Sequence, residues 1–229
     1  MTRKLVVEAI GTFFLVLTVG QVVLEPSAGP LAPLAIGFVL MIMVYMGGHV
    51  SGGHFNPAVT LGVFLRGKAT SRELGGYALA QILGAVAAAI SVLYLKGEIT
   101  SAVTALATGP ALFAEFLFTF ALVFVVLNVA TSPGTEGNSY FGFAIGGTVL
   151  VGAYAVGPIS GAAFNPAVAI GAVLMGLARA ADLWIFLVAN LAGGTAAALV
   201  FNGLDLGAAK PTTATPAEQA ELRGAASTR

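Results

Sequence analysis

Cysteine is absent from this chain of 229 residues, and charged residues make up only 9% of it, against roughly a quarter in an average soluble domain. The absence of cysteine excludes disulfides, thiolate metal sites and thiol catalysis. The two histidines belong to no cluster of metal-ligand residues, so the sequence indicates neither an enzyme nor a metal or cofactor site. The formal net charge is zero, which gives no reason to expect a nucleic-acid partner.

Hydrophobic residues, in contrast, make up 58% of the chain and are gathered in long runs. A helix needs about 20 apolar residues to cross the roughly 30 Å hydrocarbon core of a bilayer. The sequence therefore predicts an all-α membrane protein with six spans, at about residues 5–24, 32–48, 74–95, 111–130, 140–156 and 183–202. No small-residue cleavage site follows the first span, so we expect that span to stay in the protein.

Basic residues near the spans indicate the orientation, because basic loops resist translocation. Five of them fall on one side and two on the other: Arg3, Lys4, Arg66, Lys68 and Arg72 against Lys96 and Arg179. We therefore expect both termini in the cytoplasm. Residues 1–203 are predicted to form one membrane domain, and residues 204–229, rich in Ala, Thr, Pro and charge, a disordered cytoplasmic tail.

The chain contains an internal repeat, which is its most informative feature. Three elements recur at matching places: Glu8 as Glu115, Ser51-Gly-Gly-His-Phe-Asn-Pro-Ala-Val59 as Ser160-Gly-Ala-Ala-Phe-Asn-Pro-Ala-Val168, and Gln81 as Asn190. The two halves, about 4–100 and 111–203, are copies of a unit with three spans. Because three is odd, the second copy must enter the membrane from the opposite face, and transport pathways lie at such repeat interfaces.

An Asn-Pro-Ala tripeptide occurs once in each half, as Asn56, Pro57 and Ala58 and as Asn165, Pro166 and Ala167. Asn is a strong N-cap, and Pro suits the first helical turn. The apolar stretch of about ten residues after each motif is too short to cross the membrane, so we predict two re-entrant half-helices. A single copy would be read simply as a helix start. Two copies, meeting N-terminus to N-terminus, instead place positive dipole ends and two Asn donors beside a pathway.

With these motifs the chain resembles the major intrinsic protein family, the aquaporins and glycerol facilitators, over about residues 4–203. The resemblance implies the aquaporin fold, with six transmembrane helices, two re-entrant half-helices and an inverted three-helix repeat. It also implies a passive channel, commonly a homotetramer with one pore per subunit in the lipid bilayer. A secondary active transporter can also be built from inverted repeats, and a non-conducting adhesion protein of the same fold is a third possibility.

Glu8 and Glu115 lie within predicted spans, where an unpaired charge is costly, so we expect both to face the interior and be hydrogen-bonded. The resemblance implies that they brace the two loops, and a proton or ion site is the alternative. We interpret His54 as a loop histidine hydrogen-bonded to backbone, with gating as the alternative. His49, near the cytoplasmic mouth, is interpreted in the same way.

Val168 stands where most relatives carry an Arg that narrows and charges the external selectivity filter. The resemblance places the other filter positions at Ile36, Ala153 and Ala162, counted from the two motif asparagines. All four residues are apolar, and two are very small. Because pore diameter, lining donors and charge set selectivity, this ring predicts a wide, uncharged filter.

With Val at this position, the chain resembles the bacterial arsenic-resistance type of aquaglyceroporin. The resemblance implies a place in the bacterial inner membrane. That resemblance implies arsenous acid or methylated arsenicals as solutes, together with glycerol-like polyols and water. One alternative is that Val168 is a tolerated substitution in a general solute facilitator. Another is a water-conducting aquaporin with little solute transport.

Overall fold

The computed structural model describes residues 1–97 and 103–208, and this part of the chain is built from α-helices and short 3-10 turns. The helices are α1 (Thr2–Val23), α2 (Ala32–Ser51), α3 (Pro57–Leu65), α4 (Ser71–Lys96), α5 (Thr108–Thr131), α6 (Phe141–Ser160), α7 (Pro166–Leu174) and α8 (Leu183–Gly203). Six of these helices are long and apolar enough to cross a membrane, whereas α3 and α7 have nine residues each. The predicted fold class, six spans and two half-helices, is confirmed.

Helices α2 and α6 run further than the predicted spans, which ended at residues 48 and 156. Each helix continues to a serine, Ser51 or Ser160, and then stops at a glycine in the left-handed region, Gly52 with φ 92° and Gly161 with φ 90°. Glycine adopts this conformation without the steric cost of a Cβ atom, which makes it a common helix terminator. These two glycines turn the chain back toward the middle of the molecule and so begin the two re-entrant segments.

Helix α4 begins three residues before its predicted span, because a capping box defines its N-terminus. The Thr70 hydroxyl accepts from the Glu73 N–H, and the Glu73 carboxylate accepts from the Thr70 N–H. This reciprocal arrangement satisfies two backbone donors that the helix leaves free. The same carboxylate receives Lys4 Nζ at 2.6 Å, which ties the start of α1 to the start of α4.

The two halves interlock rather than lie side by side. Within the first half α1 packs on α4, and within the second half α5 packs on α8 in the same way. Across the halves α2 packs on α6, and each half-helix packs on a spanning helix of the other half, α3 on α8 and α7 on α4. The N-termini of α3 and α7 therefore meet in the centre, as the inverted repeat predicts.

Glycine allows the closest helix crossings. A Cβ atom added to Gly84 of α4 would lie less than 3.0 Å from the Ala9 carbonyl oxygen of α1. The matching Gly193 of α8 would meet the Phe116 carbonyl oxygen of α5 at 2.6 Å. Because lipid supplies no hydrophobic drive between helices, such close backbone contacts are a main source of helix association in membranes.

The start of the predicted tail differs from the expectation. The tail was predicted to begin at residue 204, but residues 204–208 lie in turns fixed to the rest of the molecule. Ser132 Oγ donates to the Leu206 carbonyl at 3.0 Å, and Arg66 Nη2 donates to the Gly207 carbonyl at 3.3 Å. Polar composition alone gives no sign of these long-range contacts. The rest of the predicted tail, residues 209–229, lies outside the described residues, as do residues 98–100 of the first repeat.

Replacement of Gly84 or Gly193 by alanine should push apart α1 and α4, or α5 and α8. We expect each variant to lose roughly 1–3 kcal/mol of stability, the usual cost of an extra methyl group in a packed site. Gly75→Ala is the matched control, because Gly75 also lies in α4 but no atom outside the nearby backbone of its own helix lies within 4 Å of the added carbon. The measurement is the temperature at which each purified protein loses its folded peak in detergent. Equal temperatures for Gly84→Ala and Gly75→Ala would contradict the close-crossing interpretation.

Candidate functional site

Each half-helix at the centre of the molecule begins with a capped Asn-Pro-Ala motif. Asn56 Oδ1 accepts from the Ala58 N–H at 2.8 Å, and Asn165 Oδ1 accepts from the Ala167 N–H at 2.9 Å. Both asparagines have extended backbone and are followed by proline at the first helical position. This is the geometry expected of an Asn N-cap. Each motif therefore begins its half-helix because Asn caps the free N–H groups and Pro fits the first turn.

The same two asparagines join the two re-entrant loops to each other. Asn56 Nδ2 donates to the Phe164 carbonyl at 2.8 Å, and Asn165 Nδ2 donates to the Phe55 carbonyl at 2.9 Å. Both phenylalanines have φ of 48°, a left-handed conformation that is unusual for a large side chain. A primary amide has two N–H donors. Each asparagine therefore commits one N–H to the opposite loop and retains a second N–H, so two Asn donors remain, the number that the sequence predicts.

Glu8 holds the first re-entrant segment from inside the helix bundle, where it is completely buried. Its Oε1 atom accepts from Ser51 Oγ at 2.6 Å and from the His54 N–H at 2.9 Å. Its Oε2 atom accepts from the Phe55 N–H and from Gln81 Nε2, both at 2.7 Å. A carboxylate accepts about four hydrogen bonds, so Glu8 is saturated by donors.

Glu115 repeats this arrangement in the second half. Its Oε1 atom accepts from Ser160 Oγ at 2.7 Å and from the Ala163 N–H at 3.0 Å. Its Oε2 atom accepts from the Phe164 N–H at 2.8 Å and from Asn190 Nδ2 at 2.9 Å. Hydrogen bonds to an ionised acceptor are the strong ones in proteins, so each carboxylate fixes two otherwise unpaired backbone donors of a non-helical segment.

Several members of these networks carried no assigned role in the sequence. Ser51 and Ser160 bond the carboxylates and also accept from the N–H two residues later, at 3.1 Å in both loops. The repeat could have revealed these two serines, because both are the first residue of the repeated nine-residue segment. Thr60 and Thr119 each accept from the amide of the nearby Gln81 or Asn190 side chain, at 3.1 and 3.0 Å. These two threonines do not occupy matching places in the repeat, so the repeat alone could not reveal them.

The two histidines lie on the same side of the molecule but differ in setting. His49 is exposed in the last turn of α2. His54 has only 9% of its surface exposed, and its Nδ1 atom lies 3.2 Å from Thr60 Oγ1. The expectation that the His54 ring bonds backbone is therefore wrong, since its partner is a side-chain hydroxyl contributed by α3.

Two cavities lie on opposite sides of the paired motifs. The first, of about 150 Å³, is lined by all four residues proposed from the sequence as a filter and by both motif asparagines: Ile36, Ala153, Ala162, Val168, Asn56 and Asn165. The second, of about 690 Å³, is lined by charged and polar residues that include Lys4, His49, Lys68, Glu73 and Glu136. The structure thus brings the four filter candidates together in the lining of the first cavity. The charged side chains line the second cavity, on the other side of the paired motifs.

The first cavity is electrically neutral along its described lining. No Lys, Arg, Asp or Glu belongs to that lining, and His54 is its one titratable side chain. Arg179, the next basic residue after Val168, is exposed, and its Nε atom lies 3.9 Å from Asp182 Oδ2 instead. A cavity with apolar walls, amide donors and no fixed charge in its described lining is unfavourable for ions.

These features define a multi-pass membrane channel with two inverted halves, a class whose members pass water and small solutes and catalyse no reaction. The model of the major intrinsic protein family matches residues 1–201, and the chain belongs to that family. Fold, family and multi-pass membrane character are therefore confirmed as the sequence predicted them.

Curated relatives agree with this assignment. The chain is 39% identical over 209 residues to "Aquaporin NIP1-4" of Oryza sativa subsp. japonica. That alignment covers 87% of this chain and 76% of the rice protein. It is 34% identical over 210 residues to "Nodulin-26" of Glycine max, with 87% and 77% covered. Among solved structures, the aquaglyceroporin from Plasmodium falciparum superposes with a TM-score of 0.74 at 22% identity, covering 89% of this chain and 96% of that one. That last likeness concerns the fold alone.

Glu8→Gln and Glu115→Gln should each damage folding or conduction, and to similar degrees. A glutamine amide would direct its own N–H groups at a site where four donors already converge, so at least one donor loses its acceptor. A hydrogen bond to a charged group is worth roughly 1.5–3 kcal/mol, which predicts a clear fall in folded protein. Glu25→Gln, at an exposed residue that lines neither the filter cavity nor the cavity on the other side of the motifs, is the control. The measurements are membrane abundance and solute flux per channel, and wild-type values for either variant would refute the bracing role of that residue.

Proposed function

We propose that this protein is a passive channel for small uncharged solutes larger than water, through a wide filter that lacks arginine. The solutes are glycerol-like polyols and arsenous acid or its methylated forms, and water passes as well. The observation that carries the proposal is the ring of Ile36, Ala153, Ala162 and Val168 on the cavity that also contains both motif asparagines.

The chemistry of this ring favours size-tolerant passage. An arginine beside the second motif would add a fixed cation and five N–H donors, and it would fill space that two alanines leave open. Val168 supplies no charge and no donor, and it is only 7% exposed in the wall of the cavity. Solutes with apolar faces lose little on entering such a ring, because their hydroxyl groups can still reach the asparagine amides further in.

The arsenical part of the proposal rests on the resemblance carried by Val168 and on solute chemistry. Neutral arsenous acid is similar to glycerol in size and also presents three hydroxyl groups. A general solute facilitator would treat the two solutes alike, so uptake of arsenite and glycerol should be compared in the same proteoliposomes. Arsenite uptake at the level of empty liposomes would remove arsenicals from the proposal and leave the polyols.

The geometry also favours passive transport over ion-coupled transport. Coupling usually requires an ion or proton site within the membrane, and Glu8 and Glu115 are the candidates in the spans. Four donors saturate each of these carboxylates, so neither has an acceptor free for a cation.

We further propose that the channel is a homotetramer in an inner (plasma) membrane, with both termini in the cytoplasm.

Passive transport predicts that solute flux follows the solute gradient in either direction. Proteoliposomes should equilibrate labelled glycerol from inside or outside at equal initial rates for equal gradients. A pH step or a sodium gradient across the membrane should leave these rates unchanged. Accumulation of glycerol above its external concentration after a pH step would contradict the proposal.

Val168→Arg should narrow the ring and place a cation in it. We expect a severalfold fall in the ratio of glycerol flux to water flux, because glycerol needs the space that the new side chain fills, whereas water can still pass beside two alanines. Val168→Leu is the matched control, since it adds bulk without charge or donors and should lower the ratio less. Both fluxes are measured by stopped-flow light scattering at equal channel abundance. An unaltered ratio in Val168→Arg would show that Val168 does not line the constriction.

A further inference from the structure

Two tyrosines occupy matching places in the inverted repeat. Tyr45 of α2 corresponds to Tyr154 of α6, and Pro30, just before α2, corresponds to Ser139, just before α6. The Tyr45 hydroxyl donates to the Ser139 carbonyl at 3.0 Å, and the Tyr154 hydroxyl donates to the Pro30 carbonyl at 2.8 Å. Each helix therefore holds the segment of chain that leads into the other one.

The hydrogen bond of Tyr154 fixes the start of α2. In the described part of the chain, no side chain caps the N-terminus of this helix, and the Tyr154 hydroxyl is the one side-chain donor that reaches the turn Gly29–Leu31. The other end of the same connection is held by Lys96, whose Nζ atom donates to the carbonyls of Leu24 and Pro26. Removal of the Tyr154 hydroxyl would therefore free the end that leads into α2 and leave the other end in place.

This end of α2 carries part of the proposed filter. Ile36 lies in the second turn of α2, and Ala153 directly precedes Tyr154 in α6. Both Ile36 and Ala153 line the first cavity, and α2 packs on α6. A movement of the start of α2 relative to α6 would therefore change the distance between two residues of the ring.

The packing of α2 on α6 allows this movement in one direction. A Cβ atom added to Gly37, the residue after Ile36, would lie 2.5 Å from the Leu150 Cβ atom and 2.8 Å from the Gly146 carbonyl oxygen. The same addition to Gly146 would meet the Gly37 carbonyl oxygen at less than 3.0 Å. Atoms that are already close-packed resist further approach. The start of α2 can therefore move away from α6 but not closer to it, so the ring can widen but not narrow.

The matching hydrogen bond of Tyr45 lies away from the proposed filter. Its acceptor, Ser139, belongs to a segment whose residues Asn138 and Phe141 line the second cavity, and neither Tyr45 nor Ser139 lines the first. The Tyr45 hydroxyl also accepts from the Phe143 N–H at 3.2 Å. Loss of this hydroxyl would therefore remove at least as much hydrogen bonding as the same change in α6, without effect on the ring.

We propose that Tyr154 is a positioning residue of the filter, which holds Ile36 close to Ala153 through its hydrogen bond to Pro30 and thereby sets the upper size limit of the solute. The inference rests on the proposed function and deepens it, since it names what limits solute size in a ring without arginine. The small side chains leave the ring wide, and the Tyr154 hydrogen bond keeps it from widening further. Glycerol then passes more readily than polyols with longer carbon chains.

Tyr154→Phe removes the hydroxyl and keeps the ring, and Tyr45→Phe is the matched control. Fluxes of glycerol and of erythritol, a polyol with a longer carbon chain, are measured in proteoliposomes at equal channel abundance. We expect Tyr154→Phe to raise the ratio of erythritol flux to glycerol flux roughly threefold, within the factor of about five that one hydrogen bond of typical net strength is worth. Tyr45→Phe should leave this ratio unchanged, although it should lower the thermal stability at least as much.

An unchanged or lower ratio in Tyr154→Phe would overturn the proposal. An equal rise in Tyr45→Phe would also overturn it, because a general loosening of the helices would then explain both. If Tyr154→Phe does not fold, Tyr154→Leu replaces it, since leucine also lacks the hydroxyl, and the same rise is required. Absence of glycerol flux in the wild type would refute the proposed function instead. The inference then requires glycerol flux to appear in Tyr154→Phe and not in Tyr45→Phe, and any other pattern would overturn it as well.

Discussion

The need to satisfy non-helical backbone inside a membrane governs this structure. Two segments of the chain leave their helices and turn inward, and their N–H groups have no water to bond there. Glu8 and Glu115 solve this problem with four accepted hydrogen bonds each, two of them from backbone. Burial of a carboxylate is costly, so the saturation of both groups is the condition under which they can stay in the bundle. The position of both half-helices, and hence of the cavities, depends on this arrangement.

The pathway takes its chemical character from what remains free after the loops are secured. Each motif asparagine commits one N–H to the opposite loop, and the serines and threonines nearby are engaged by the carboxylates and amides. The free polar side chains that line the filter cavity are therefore few and carry no fixed charge. Fixed charges lie in the cavity next to α2 and α4, away from Val168. Such a division suits neutral solutes, which need some hydrogen bonds and no counter-ion.

Much of the fold could be predicted because its signals are local or repeated. Long apolar runs gave the six spans, and a duplicated Asn-Pro-Ala motif gave the two half-helices. Counting from the motif asparagines also selected four residues that line one cavity. Contacts between distant residues left no local signal: the cross-loop bonds of Asn56 and Asn165, the hydroxyl partner of His54 and the anchoring of residues 204–208. Helices α2 and α6 extend to Ser51 and Ser160 because each ends at a following glycine with positive φ. Composition does not specify which glycine adopts that conformation.

The central claim is that the apolar ring admits neutral solutes larger than water. Stopped-flow light scattering on proteoliposomes of the wild-type protein tests it most directly, with one gradient of an impermeant osmolyte and one of glycerol. The account predicts fast shrinkage in both gradients and fast reswelling in glycerol, well above the rate of empty liposomes. Fast shrinkage without reswelling in glycerol would mean that water passes and the polyol does not, and it would contradict the account.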